Sequence, residues 1–141
     1  MYFIEKEKER SEKAYQKYLK ARENYLKEAK EEADKLDLDA ILFLGLHYLN
    51  PRNTDKDIDQ AFEYFQKGSC QSQDGCTFYL ATCYQNGWGC DKNILKAIIL
   101  YQRVVKEDST YRFSAYCQLT KIYLFEKEYF SALKAEETLL S

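Results

Sequence analysis

Residues 76–105 read CTFYLATCYQNGWGCDKNILKAIILYQRVV, and this stretch decides the fold. Cys76, Leu80, Cys83 and Tyr84 stand at offsets 0, 4, 7 and 8, which places them on one side of a helix. Gln85-Asn86-Gly87-Trp88-Gly89 follows, a turn with two residues free to take positive φ. Asp91 or Asn93 then caps a second helix, 94–106, whose apolar side carries Ala97 and Tyr101. The stretch predicts two short antiparallel helices joined by a glycine-marked turn.

Copies of it lie on both sides. Ala40, Leu44, Gly45 and Tyr48 correspond, 36 residues earlier, to Cys76, Leu80, Ala81 and Tyr84. Ala115, Leu119, Thr120 and Tyr123 correspond again, 39 residues later. In the second helices Ala61 and Phe65 match Ala97 and Tyr101, and Ala132 lies 35 residues after Ala97. A helical pair of this length cannot bury its apolar side alone, and stacking successive pairs supplies the core. A small residue at 45, 81 and 120 is expected where the paired helix crosses closely. These copies predict an all-α superhelix of about three helical hairpins with an extra, long N-terminal helix.

In chain order, residues 1–11 are expected to be a flexible, charged N-terminus, and residues 12–141 one helical-repeat domain. Within it, 12–36 is a capping helix. Its stripe of Ala14, Tyr18, Ala21, Tyr25 and Ala29 is too broad and too rich in alanine and tyrosine for a leucine-zipper seam. Repeat 1 spans 40–68, with Asp39 as its N-cap, Asn50-Pro51 ending the first helix and Gly68 ending the second. Repeat 2 spans 76–106. Repeat 3 spans 111–140, with a tight connection from Phe125 to Tyr129 and a last helix from Tyr129 to Leu140.

Composition narrows the function classes. With 45% hydrophobic and 31% charged residues over 141 positions, the chain has the balance of a folded domain able to bury a core. One proline and five glycines leave few helix breakers. A formal charge of -2 does not provide the clustered positive charge that phosphate contacts need, so no nucleic-acid partner is expected. The longest apolar run, Ala40–Leu46, is far shorter than the roughly 20 residues of a membrane span. No membrane insertion is expected, and EKEKERSEK after Ile4 is not a signal peptide, so the expected compartment is the cytoplasm. Thirteen tyrosines suit both amphipathic packing and an interface.

Reactive chemistry has no motif. His47 is the sole histidine, without a nucleophile or orienting partner in sequence, and is read as structural. The five cysteines, at 70, 76, 83, 90 and 117, lack a CxxC pair, so neither metal nor cofactor is expected and free thiols are preferred. Asp55, Asp57 and Asp59 are too short and incomplete a set for a calcium loop and read as a polar, helix-capping segment. Gly87-Trp88-Gly89 lacks the lysine and the preceding strand of a phosphate loop.

A binding face is sought at offsets 2, 6 and 9 of the first helices, opposite the stack: Leu42, Leu46 and Leu49, then Phe78, Thr82 and Gln85, with Tyr79 alongside and Lys121 at the far end. Three leucines on a side that should be wet require an account. Either the N-terminal helix covers them, the preferred reading, or they line a groove for a helix or extended peptide.

Tyr84-Gln-Asn-Gly87-Trp-Gly89-Cys-Asp91-Lys-Asn93-Ile-Leu-Lys96-Ala97 resembles the loop and second-helix start of Sel1-like repeats, relatives of the tetratricopeptide repeat. Leu80-Ala81 stands at that family's leucine–glycine pair, which the preceding copy keeps as Leu44-Gly45. The first copy departs from the pattern with Asn50-Pro51 in place of the glycine turn, and the third has almost no loop. The resemblance implies a non-enzymatic protein-interaction module: an adaptor, a scaffold, or a bacterial effector or immunity regulator with a protein or peptide partner. It also implies that a Cys70–Cys76 bridge could staple successive repeats. The rival readings are a self-associating structural protein, which allows a homo-oligomer, and a small hydrolase acting on a polymer.

Overall fold

The structure, a computed structural model, describes the backbone of residues 1–140 and the side chains of residues 1–125 and 127. Six helices succeed one another: α1 (Tyr2–Asp34), α2 (Leu38–Leu49), α3 (Ile58–Cys70), α4 (Asp74–Asn86), α5 (Ile94–Lys106) and α6 (Arg112–Leu140). Among the described residues there is no strand. Each helix packs along the next, so α2–α3 and α4–α5 form two stacked hairpins between α1 and α6.

Local signals set the boundaries. The Asp57 carboxylate accepts the Gln60 amide at the start of α3, and the Asn93 side chain accepts the Lys96 amide at the start of α5. Asn50 turns extended ahead of Pro51 and ends α2. Gly87, at φ 71°, ends α4 in the left-handed conformation. Gly89 shares that φ, and a Cβ there would also stand 2.7 Å from the Cβ of Phe62. The loop of repeat 2 therefore rests directly on α3.

Backbone hydrogen bonds repeat at the same 36-residue step. Tyr48 O accepts from Asp57 N at 2.9 Å, and Tyr84 O from Asn93 N at 2.8 Å. The joint between α1 and α2 copies the joint between α3 and α4. Leu36 (φ 65°) and Ser72 (φ 62°) are the two left-handed non-glycine residues among those described. Leu36 N donates to Ala33 O and Asp37 N to Glu32 O, as Ser72 N does to Ser69 O and Gln73 N to Gly68 O. The end of α1 is thus in the register of a second helix of a pair.

Two core clusters run through the stack. One joins Ala33, Ile41, Leu44, Tyr48, Ala61, Phe65, Cys76, Leu80 and Cys83. The other joins Phe78, Ala81, Ala97, Tyr101, Val104, Ala115, Leu119 and Ile122. The expected close crossing is present at Gly45, where an added Cβ would collide with the ring of Phe65, and Ala81 is fully buried beside Tyr101.

The structure corrects five sequence expectations. Helix α1 begins at Tyr2, so residues 1–11 are helical. The N-cap of α2 is Asp37 and not Asp39: its carboxylate accepts the amides of Asp39 and Ala40, as the Gln73 side chain does for Gly75 and Cys76 in α4. Gly68 lies inside α3, pressed against Cys76, and the helix runs on to Cys70. No turn forms from Phe125 to Tyr129, because α6 is continuous to Leu140; Glu126-Lys127-Glu128 are helix formers with no glycine or proline among them. Thr120 is consequently exposed, its hydroxyl donating back to Tyr116 O, while Ala115 and Leu119 are buried against α5 and Tyr123 is half-exposed. The side chain of Ala132 lies outside the described residues.

Candidate functional site

The loops that close the two pairs lie along one edge, and each borders a depression. The first, about 400 Å³, is lined by Leu46, Leu49, Asn50, Lys56, Ile58 and Trp88. The second, about 480 Å³, includes Gln85, Asn86, Lys92, Ile94, Lys121 and Phe125. Leu49, Asn50, Lys56 and Ile58 stand 36 residues before Gln85, Asn86, Lys92 and Ile94. The two depressions are therefore the same site in successive repeats. Each is closed by the next element along the chain: Trp88 from the second loop in the first, Lys121 and Phe125 of α6 in the second. The asparagine, lysine and isoleucine are common to both, while the first wall is more apolar.

A polar cluster ties α1 to the first loop. Arg22 Nη2 donates to Asp55 Oδ1 at 2.8 Å, and His47 Nε2 lies 2.9 Å from Asp55 Oδ2. Asn53 Nδ2 donates to His47 O at 2.8 Å and lies 3.2 Å from its Nδ1. Both nitrogens of the His47 ring are engaged and its side chain is only 8% exposed, so it has no free nitrogen for a nucleophile. Burial works to raise the Asp55 carboxyl, but hydrogen bonds from His47 and Arg22 outweigh it and hold its pKa below the ordinary value. Lys30 lies over the Tyr48 ring at 5.8 Å, and its bond to that tyrosine raises the ammonium pKa. His47 is thus structural, and Asp55 anchors a helix while Asp57 caps one.

The eight candidate binding residues divide. Leu46 and Leu49 line the first depression, and Gln85 and Lys121 the second. Phe78 is buried in the core against Tyr79, Tyr101 and Tyr111. Tyr79 stacks on Phe65 at 5.3 Å. Leu42 abuts Gly75, and the Thr82 hydroxyl lies 2.9 Å from that of Tyr101. Phe78 is thus inside the core, while Leu42, Tyr79 and Thr82 are half-buried against neighbouring helices, because a first helix is covered by its own partner, by the preceding second helix and, at Leu42, by the next first helix.

The preferred covering of the leucines by α1 does not occur. Helix α1 packs on the adjoining side of α2, with Tyr25 edge-on to Phe43 at 5.1 Å, and no α1 residue borders the depression lined by Leu46 and Leu49. Sequence reasoning missed Trp88, Asn50, Asn86, Lys56 and Lys92 as groove residues. Their signal was present in the matching 36-residue spacing of the two loops.

All five cysteines are free, so no Cys70–Cys76 bridge forms. Cys70 is exposed at the end of α3, whereas Cys76 is buried against Gly68. Burial pushes the Cys76 and Cys83 thiols up to about 12, leaving them inert at neutral pH. Among the described residues, no three His, Cys, Asp or Glu side chains are grouped as metal ligands would be, and no helix is long and apolar enough to cross a membrane.

Comparison with known proteins supplies relatives. The Sel1 repeat family model matches residues 38–72 and 76–106. The solved structure of c5321, a protective antigen present in uropathogenic Escherichia coli strains displaying an SLR fold, is 26% identical with a TM-score of 0.62. That match covers 70% of this chain and 20% of c5321. A Sel1 repeat protein from Oxalobacter formigenes shares the fold at 20% identity and a TM-score of 0.53, over 60% of this chain and 61% of that one. The chain thus spans less than two thirds of either relative.

Proposed function

Residues 38–72 and 76–106 of this chain are Sel1 repeats, and from that premise we propose a non-enzymatic adaptor that takes a protein segment along its loop edge. Sel1 repeats typically serve as protein-interaction modules. The observation that carries this reading is the recurrence of one lined depression at the repeat spacing, with Asn50 and Asn86, Lys56 and Lys92, and Ile58 and Ile94 in matching places. A ligand suited to both sites has apolar side chains at intervals and acidic groups beside them. The asparagine amides can bond its backbone, and the lysines can meet its carboxylates. Leu46, Leu49 and Trp88 make the first site the stronger apolar anchor.

Trp88 is the only tryptophan and borders that site, so its fluorescence reports occupancy directly. Peptides selected from a random display library against the whole chain should combine apolar and acidic residues and shift Trp88 emission on titration. Leu49→Glu and Lys56→Glu should each weaken the selected peptide roughly tenfold or more, the effect of losing a central contact. Selected peptides that bind without altering Trp88 emission, or that ignore both substitutions, would refute the loop-edge reading.

A further inference from the structure

We propose that copies of this chain join head to tail, the first half of α6 in one copy docking on α1 of the next so that the two helices complete a repeat.

The ends of the stack are incomplete in opposite senses. Helix α1 has the register of a second helix: its joint to α2 reproduces the α3–α4 joint bond for bond, with Tyr25 at the place of Ala61 and Ala29 at the place of Phe65. Helix α3 is covered on both sides, by α2 and by α4. Helix α1 is covered by α2 through Ala33 and Tyr25–Phe43, and by the loop after α2 through Arg22–Asp55. Where the first helix of a preceding pair would lie, against both α1 and the start of α2, there is an open groove of about 330 Å³, bordered on α1 by Tyr25, Glu28, Ala29 and Glu32 and on α2 by Ala40 and Phe43, with Asp37 and Asp39 beside them.

Helix α6 has the complementary lack. Ala115, Leu119 and Ile122 are buried against α5, as Cys76, Leu80 and Cys83 are buried in the preceding pair. On the side where Gly45 receives Phe65, and where Thr82 and Gln85 reach Tyr101, α6 presents Tyr116, Thr120, Lys121 and Leu124 to solvent. Tyr116 is 49% and Leu124 57% exposed. Thr120 keeps the small residue of the crossing position although no described helix crosses it.

Charge selects a second copy as the occupant. The α1 groove is bordered by four carboxylates, of which Glu32 also meets Lys35 and Asp37 caps α2, whereas Arg112 and Lys121 stand on the exposed part of α6. The interface would continue the pairing already made twice within the chain, α2 on α3 and α4 on α5. Such a contact is heterologous, so it closes into a ring or grows into an open chain. It meets the loop-edge surface at Lys121, which borders the second depression, but Thr120 and Leu124, the positions varied below, border neither depression.

The test uses two double variants of the whole chain, at exposed positions and with helicity checked by circular dichroism. Glu28→Lys with Glu32→Lys disables the α1 groove; Thr120→Arg with Leu124→Lys disables the α6 face. Sedimentation velocity of the parent chain should show mass rising with concentration past the dimer. Each variant alone should remain a monomer, and an equimolar mixture should form a heterodimer of twice the monomer mass that grows no further, because one sound α1 and one sound α6 remain. A parent chain that stays monomeric at every concentration overturns the proposal. So does association that survives in either variant alone, which for the α6 variant is the result of symmetric α1–α1 pairing, and so does a mixture that stays monomeric.

Discussion

The two repeats set an aromatic ring at the same point, Phe65 in α3 and Tyr101 in α5, and the rings differ by one hydroxyl. Both are fully buried. The Tyr101 hydroxyl lies 2.9 Å from Thr82 Oγ1 and donates to Gln85 Oε1 at 2.8 Å, and burial pushes its pKa up to about 12. Phe65 has no such group, and the residues 36 positions before Thr82 and Gln85 are Leu46 and Leu49. A single oxygen in the core therefore travels with the polarity of the adjacent loop-edge site. In repeat 2 it bonds Thr82 and Gln85, and Gln85 makes part of its depression polar, whereas in repeat 1 two leucines line the depression. The scaffold fixes where a site stands, and the core residue behind it decides what that site is made of.

The comparison can be broken most severely at the ring itself. Phe65→Ala removes the ring that closes over Gly45 and stacks on Tyr79, and should cost ~3–5 kcal/mol in urea unfolding. A loss near 1 kcal/mol would mean that the two hairpins do not share a continuous core.

Moving the hydroxyl is a finer probe. Phe65→Tyr should destabilise by ~1–3 kcal/mol, because the new oxygen points toward leucines and has no partner. Adding Leu46→Thr and Leu49→Gln should restore a good part of that loss, while the same two changes on a Phe65 background should not stabilise. If the triple variant is no better than Phe65→Tyr alone, the coupling between core and groove is absent.

The smallest effect distinguishes the loops. Asp55 is tied to α1 by Arg22, and its pKa is depressed in the folded chain. Its contribution is therefore complete above the unfolded carboxylate pKa of about 4 and is lost as pH falls through the lower folded value. Asp55→Asn should flatten that part of the stability–pH curve and speed amide exchange in α1 at neutral pH, where Asp55 is ionised, with the difference from the parent vanishing as pH falls through the folded value. Exchange at residues 94–106 should be unaffected. A parent curve and a variant curve with the same acid limb would remove Asp55 from the account.

Much of this was legible before any coordinates, for local reasons. Gly87 and Gly89, a cap at Asp91 or Asn93, Asn50 before Pro51, and a close crossing at Gly45 are decided by backbone geometry and by helical spacing, which residues near in sequence already specify. The Asp37 cap was present too, in its likeness to Gln73, but Asp39 stood nearer the first small residue and drew the assignment. Phe78, Thr82 and Leu42 were misplaced because an offset on a helical wheel gives a direction without saying which directions a neighbour occupies. The Arg22–Asp55–His47 cluster spans separations of 33 and 8 residues and depends on the angle at which α1 crosses α2.

The sequence by itself determined the two complete helical pairs and their 36-residue step, though not the continuity of α6, since capping, turn conformation and apolar periodicity act over a few residues. Only the tertiary structure decided which sides of those helices are covered. That set the loop edge apart as a lined surface, placed α1 in the register of a second helix, and left the Thr120 side of α6 open. Covering depends on where distant segments cross, a property of the whole stack and not of any one window of the chain.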